Sequence, residues 1–322
     1  MRDVALVGLP TSGKSTVFTA VSGHVPQRGS SAPVAVVSVP DARVDKLAEI
    51  YRSKKTTYAQ LEIVDVAGLD PHSLGAARAA DALAIVLRAF GDDVDIARDL
   101  SSFRAELAVA DLSTMEKVRD RAAKQAKAGS PLELEVAERA EAALSDGRWL
   151  SEVDWTPEQR QTAALWTPLT LKPFMLVVNA DHELVDAPAG APTVSLLGAV
   201  ESEARDLPDE DAAELLREYG IAAPAHERFL RAAFEAMDLI TFLTGNTEEA
   251  RSWDIPRGAT APQAAGAIHT DLEKGFIRAE RLSFDDLVAA GSYEAAREKG
   301  LVRVEGKDYV VNDGDYLAIL HS

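Results

Sequence analysis

The apolar positions of this chain come in short runs at first and in helical steps later, and the change of rhythm divides it. `DVALVGLPTSGKST`, residues 3 to 16, reads as a short buried strand, a turn rich in helix breakers and a helix start. `AQLEIVDVAGL`, residues 59 to 69, alternates as a strand does, and `ALAIVL`, residues 82 to 87, is a continuous apolar run. From Ile96 to Ala128 the periodicity changes. Ile96, Leu100, Phe103, Leu107, Leu112, Met115, Val118 and Ala122 keep three- and four-residue steps, which predicts a helix with one buried stripe. `AGSP` at 128 to 131 breaks it and `LELEVAERAEAAL` resumes in the return direction, so a helical hairpin is expected.

Thr156-Pro157-Glu158-Gln159 is a helix start, with a capping threonine, proline at the first position and glutamine three residues after the cap. A strand follows at 173 to 179, then amphipathic helices around 208 to 219 and 225 to 237. Beyond residue 238 the texture changes again. The runs `LITFL`, `GFIRAERL`, `KDYVV` and `DYLAIL`, with one helix beginning at Thr260-Ala-Pro262, suit five short strands around a single helix, a β-grasp arrangement.

At 322 residues the chain is long enough for two or three units, and it has no internal repeat. There is no cysteine, which removes disulfides, thiolate metal sites and cysteine nucleophiles. The start `MRDVALVGLP` lacks the charged head and long apolar core of a signal peptide, and no apolar run approaches membrane-spanning length; a soluble cytoplasmic protein is expected. The formal charge of −18 repels phosphate at long range. Neither DNA nor a membrane is an expected partner, and any RNA contact must be local.

Gly8-Leu-Pro-Thr-Ser-Gly13-Lys14-Ser15 is a full match to G-x-x-x-x-G-K-[ST]. Its glycines let the backbone turn its N–H groups inward around a phosphate, and the helix start adds the positive end of its dipole. Lys14 is expected to reach the β and γ phosphates and Ser15 to hold Mg²⁺ through its hydroxyl. Gly8, Pro10, Thr11, Ser12, Gly13, Lys14, Ser15 and Thr16 are the expected phosphate contacts. One strand later come Asp65, expected to support Mg²⁺, and Gly68, whose amide is placed to bond the γ phosphate. Lys14 and Gly68 are thus the catalytic candidates. Leu69 occupies the position where many GTPases carry a water-orienting glutamine, and an apolar side chain cannot do that. No H-E-x-x-H or G-x-S-x-G motif occurs.

Taken together, `GLPTSGKSTVF`, `VVSVPDARVDKLAEIY`, `VDVAGL`, `AELAVADLSTMEKV`, `LTLKPFMLVVNADHE`, `AVESEARDL` and `RSWDIPRGATAPQAAGAIHTDLEKGFIRAE` resemble the YchF family, the Obg-like ATPases, in order from residue 3 to the C-terminus. The resemblance implies an α/β P-loop NTPase domain (1–95 and 169–237), interrupted by a helical hairpin (96–168) and followed by a ubiquitin-like TGS domain (238–322). It implies slow hydrolysis of nucleotide, commonly ATP before GTP, and association with ribosomes.

`VVNADHE` stands where GTPases have Asn-Lys-x-Asp and YchF-like proteins Asn-x-x-Glu. Asn179, Ala180 and His182 are therefore the expected base contacts. A carboxylate accepts both guanine donors, whereas a neutral histidine has one acceptor nitrogen, so strong guanine selection is not expected and ATP is preferred or comparable. In the first switch the family's threonine is absent; Ser30 or Ser31 is the available hydroxyl. Acidic residues outnumber basic ones after residue 238, leaving Lys274, Arg278 and Arg281 as a small candidate basic edge for ribosomal RNA. Lys117, Arg119, Arg121, Lys124 and Lys127 along the first hairpin helix read first as a solvated face. The leading expectation is a slow, Mg²⁺-dependent ATPase or GTPase on the ribosome. The alternative is a nucleotide-responsive ribosome- or RNA-binding module with vestigial hydrolysis.

Overall fold

The computed structural model describes residues 1–25, 32–125, 131–186 and 188–322; Ser30, Ser31 and Lys127 lie outside them. In chain order the elements are β1 (Arg2–Val7), α1 (Lys14–Ser22), β2 (Val34–Ser38), α2 (Ala42–Tyr51), β3 (Lys55–Thr57), β4 (Gln60–Asp65), α3 (Pro71–Ala79) and β5 (Ala82–Ala89). The helices α4 (Ile96–Gln125), α5 (Pro131–Ser145) and α6 (Pro157–Ala164) follow. Then come β6 (Phe174–Ala180), β7 (Thr193–Leu197), α7 (Gly198–Ala204), α8 (Asp209–Glu218) and α9 (Ala225–Ala236). The chain ends with β8 (Leu239–Gly245), β9 (Glu249–Pro256), α10 (Ala261–Ile268), α11 (Thr270–Lys274), β10 (Phe276–Ser283), α12 (Phe284–Ala290), α13 (Tyr293–Glu298), β11 (Arg303–Glu305) and β12 (Asp315–His321).

Two compact units form, residues 1–37 with 62–236 and residues 38–61 with 237–322. The first is built on a six-stranded sheet of order β2-β4-β1-β5-β6-β7, in which β1–β5, β5–β6 and β6–β7 pair in parallel. Seven of the eight residues of β5 are buried, as a strand covered on both faces requires. The order places the functional region. The successive strands β4 and β5 lie on opposite sides of β1, so a crevice opens at its carboxyl end, where ligands of open α/β sheets bind.

The helical hairpin forms as its periodicity predicts. Phe103, Leu107 and Met115 of α4 face Val136, Ala140, Ala143 and Leu144 of α5, all buried in one cluster with Val7, Leu83, Ile85 and Leu87 of the sheet. The root of the hairpin thus shares the sheet's core. Trp149 lies there too, edge-on to Phe174 with ring centroids 5.1 Å apart, its indole N–H donating to the Arg104 carbonyl. Each fully buried aromatic of this kind contributes roughly 2–3 kcal/mol. Thr156 and Gln159 exchange the two hydrogen bonds of a capping box at the start of α6. The charged stripe is partly spent locally: Arg119 pairs with Glu141 of α5 at 2.6 Å and with Asp120 at 2.8 Å.

The second unit carries a sheet of order β11-β10-β12-β8-β9-β3. Five strands come from the C-terminal segment, as expected, and a sixth, β3, pairs in parallel with β9. Its helices differ from expectation: four short ones form where one is predicted, because the turns after α10 and β10 are closed by caps from His269, Ser283 and Ser292. `KDYVV` contributes only an isolated bridge from Val310 to Thr260, and the strand forms at Arg303–Glu305 instead. Val44 and Leu47 of α2 are buried with Leu243, Leu282, Leu287 and Tyr316. Arg281 of the candidate basic edge is tied to the buried Asp315 at 2.6 Å, which leaves Lys274 and Arg278 of that trio.

Candidate nucleotide site

Residues Gly8 to Gly13 connect β1 to α1 around a tight loop whose two glycines are sterically required. A Cβ on Gly8 would lie 2.5 Å from the Val86 carbonyl oxygen of β5. Gly13 has φ 85°, and a Cβ there would lie 2.1 Å from Asn179 Nδ2. Thr11 adopts φ 63°, a left-handed conformation that is costly for a β-branched residue and is held by the loop around it. The first amides of α1 receive no side-chain cap from Gly13, so they stay free to meet an anion.

Lys14 folds back along the loop, its ammonium donating to the carbonyls of Gly8 at 3.1 Å and Leu9 at 3.3 Å. Two of its three N–H groups are used and one remains. Burial pushes its pKa down, opposed by the charge of Asp65. The Ser15 hydroxyl donates to Asp65 Oδ2 at 2.8 Å, uniting the two residues expected to bind the metal although fifty positions separate them. Asp65 is 4% exposed; its other oxygen, Oδ1, is buried with no hydrogen-bond partner among the described residues. Burial pushes the Asp65 carboxyl up, while the Ser15 hydroxyl and the Lys14 charge pull it down. The Ser12 hydroxyl is likewise buried and unpartnered. Pro10, Thr11 and Ser15 are exposed, and Thr16 is half-buried with its methyl toward Gly198.

Gly68 lies three residues beyond Asp65, half-buried and close to Asp70, whose carboxylate accepts from the Ser73 amide and caps the start of α3. Leu69 is half-buried and packs against the core.

Asn179, at the end of β6, is 4% exposed and spends both ends of its amide on the main chain. Nδ2 donates to the Ser12 carbonyl at 3.2 Å, and Oδ1 accepts from the Gly198 amide at 3.2 Å. It thus braces the phosphate loop against the β7–α7 turn. Ala180 is buried, whereas His182 exposes 89% of its side chain, its ring 3.6 Å from Asp181. Asn179 is therefore brought to the phosphate loop, Ala180 is buried among Ala89, Leu197 and Ala204, and the His182 imidazole stays in the solvent.

Sequence reasoning missed Gly198, where a Cβ would lie 2.3 Å from Asn179 Oδ1, and Glu201, whose buried carboxylate accepts from the Leu197 amide and pairs with Arg228. A glycine after a buried strand end was the available signal for the first.

A strand, phosphate-cradling loop and helix at the switch point of a parallel sheet, with a carboxylate presented by the neighbouring strand, define the P-loop class of nucleotide-binding folds. Residues 239–321 match the family model YchF-GTPase_C, described as a protein of unknown function (DUF933). The chain is 36% identical to "Ribosome-binding ATPase YchF" of Escherichia coli O157:H7, with 98% of each chain covered. It is 34% identical to the protein of that name in Bacillus subtilis strain 168, with 97% of each covered. "Obg-like ATPase 1" of Oryza sativa subsp. japonica is 35% identical over 98% of this chain and 90% of its own length. A solved structure, of the Schizosaccharomyces pombe YchF GTPase, superposes with a TM-score of 0.84 at 28% identity, covering 99% of this chain and 97% of the other. The chain belongs to the YchF family. Among the described residues no helix is long and apolar enough to cross a membrane.

Proposed function

We propose that this chain is a slow, Mg²⁺-dependent nucleoside triphosphatase that takes ATP in preference to, or comparably with, GTP and works on the ribosome in the cytoplasm. The names of its relatives, ribosome-binding ATPases and an Obg-like ATPase, support the activity and the partner. The observation that carries the reading is the Ser15–Asp65 contact at 2.8 Å, with the second Asp65 oxygen buried and unpartnered. A hydroxyl beside a buried carboxylate is a hard oxygen donor set that fits Mg²⁺. The ion, when bound, neutralises charge on the β and γ phosphates.

The chain's own part is largely electrostatic. The loop from Gly8 to Gly13 surrounds the phosphates, Thr11, Ser12 and Gly13 with main-chain N–H groups and Pro10, which has none, by shape alone; the amides opening α1 at Lys14, Ser15 and Thr16 complete the cradle, and the remaining Lys14 N–H stabilises charge developing on the transferred group. The Gly68 amide receives the terminal phosphate. Leu69, turned into the core, supplies no group to orient water, which accounts for a slow reaction. Asn179 sets the distance between the phosphate loop and the base, which Asn179, Ala180 and His182 border.

Residues 1–95 and 169–237 form the NTPase domain, 96–168 its helical insertion and 238–322 the TGS domain; residues 38–61, although within the NTPase stretch, fold with the last of these. Titration of the pure protein with ATP, GTP and their diphosphates tests the reading. Binding that needs Mg²⁺, with ATP at least as tight as GTP, and co-sedimentation with ribosomes are expected; GTP preference overturns the base assignment and Mg²⁺-independent binding the metal assignment.

A further inference from the structure

The helix α3, which starts three residues after Gly68, is held very differently at its two ends. At the Gly68 end the Asp70 carboxylate caps the Ser73 amide at 3.1 Å and Leu74 packs into the core. At the other end Arg78 reaches into the hairpin. Its guanidinium donates to the carbonyls of Thr167 at 3.1 Å and Ala110 at 3.3 Å and to the Thr114 hydroxyl at 3.4 Å, and it lies 2.7 Å from Asp111. Lys172 adds a hydrogen bond to the carbonyl of Ala80, just past the helix.

Asp111 is the unusual member. It occupies the buried stripe of α4, four residues after Leu107 and four before Met115, and none of it is exposed. Its Oδ2 accepts from both the amide and the hydroxyl of Thr170 at 2.8 Å. A charge buried in an apolar helix face adds little net stability even when paired; fixing one arrangement of the packed elements is its best-attested use. Thr167, whose carbonyl Arg78 grips, is held at φ 48°, strain that the joint sustains.

We infer that Arg78 is a positioning residue for phosphoryl transfer: anchored on the hairpin through Asp111, it fixes the far end of α3, so that Gly68 meets the terminal phosphate in one register and the hairpin senses that phosphate. The inference rests on the proposed reading of Asp65 and Gly68. Because the Arg78 end of α3 is clamped on the hairpin, a displacement of α3 by the phosphate is passed to that joint. The coupling is reciprocal: whatever displaces the hairpin changes the rate of cleavage.

The test uses the full chain and its variants Arg78→Met and Arg78→Lys. Three quantities are read: Mg²⁺·ADP affinity, single-turnover cleavage per bound ATP, and hydrogen exchange of α4 and α5 with ADP against a non-hydrolysable ATP analogue. Arg78→Met is expected to leave ADP affinity within about twofold, lower cleavage about tenfold and abolish the nucleotide-dependent exchange difference; Arg78→Lys, which keeps a cation for Asp111, recovers most of the rate. Wild-type cleavage and an intact exchange difference in Arg78→Met overturn the inference. If Arg78→Met does not fold, Arg78→Lys decides: a rate about threefold lower with unchanged ADP affinity supports the joint, and no change in rate or exchange refutes it. A native chain that never cleaves ATP refutes the proposed function instead, a result separable from either.

Discussion

The phosphate loop and the loop after β6 lie two strands apart at the edge of one sheet, and they are built to opposite specifications. In the first, Gly8, Thr11, Gly13 and Lys14 are held by local geometry: two glycines without room for a Cβ, a threonine in a left-handed turn and a lysine folded onto two carbonyls. In the second, the strand ends at Ala180, and His182 extends into solvent. A phosphate can be recognised by amides that any residue but proline supplies, so its site tolerates almost no change of shape. A base must be read by side chains, so its site can drift while the fold is kept.

The sharpest way to break this comparison is Lys14→Ala, which removes the ammonium from the phosphate loop; nucleotide affinity by fluorescence titration should fall about 100-fold, ~3 kcal/mol, for ATP and GTP alike. Asn179→Ala comes next. It leaves the Ser12 carbonyl and the Gly198 amide unpaired, and denaturant unfolding should show a loss of about 2 kcal/mol, with both nucleotides weakened equally because the brace, not base reading, is lost. His182→Asp sharpens the other side: a carboxylate accepting from guanine should raise GTP affinity roughly fivefold with ATP unchanged, and no change would place residue 182 outside the base site. The smallest effect concerns pH. Burial raises the Asp65 carboxyl above its ordinary range, and only its ionised form holds a cation, so Mg²⁺-dependent affinity should begin to fall at a higher pH than for an ordinary aspartate as solutions are acidified. Binding measured in EDTA should lack that component, and Asp65→Asn should abolish it.

How far the sequence could be read follows the same division. The phosphate loop, the Asp65 strand end, the hairpin periodicity and the Thr156 cap were legible because each is a local pattern with one physical solution. What escaped depends on partners far along the chain. β9, `EARSWDIP`, interleaves charged and apolar residues because Arg251 stacks on Trp253 and Glu249 bonds Thr57, so its alternation is disguised. `KDYVV` looks more strand-like than `RVE`, yet `RVE` finds the free edge of β10. Asp111 breaks an otherwise apolar stripe; only the positions of Arg78 and Thr170 show why. The two ends of the Asn179 amide, both turned to main chain, had no trace in a motif that suggested base contact alone.

The excursion of residues 38–61 alters what can be removed from this protein. Val44 and Leu47 are fully buried against strands that begin two hundred positions later, and Thr57 continues the same ladder. A chain cut after Ala236 would keep every nucleotide-contacting candidate yet lay bare an oily helix face and leave β3 without its partner β9, inviting aggregation. The segment after Ala236 is thus less a detachable tag than the completion of a structure begun before Asp65 is reached.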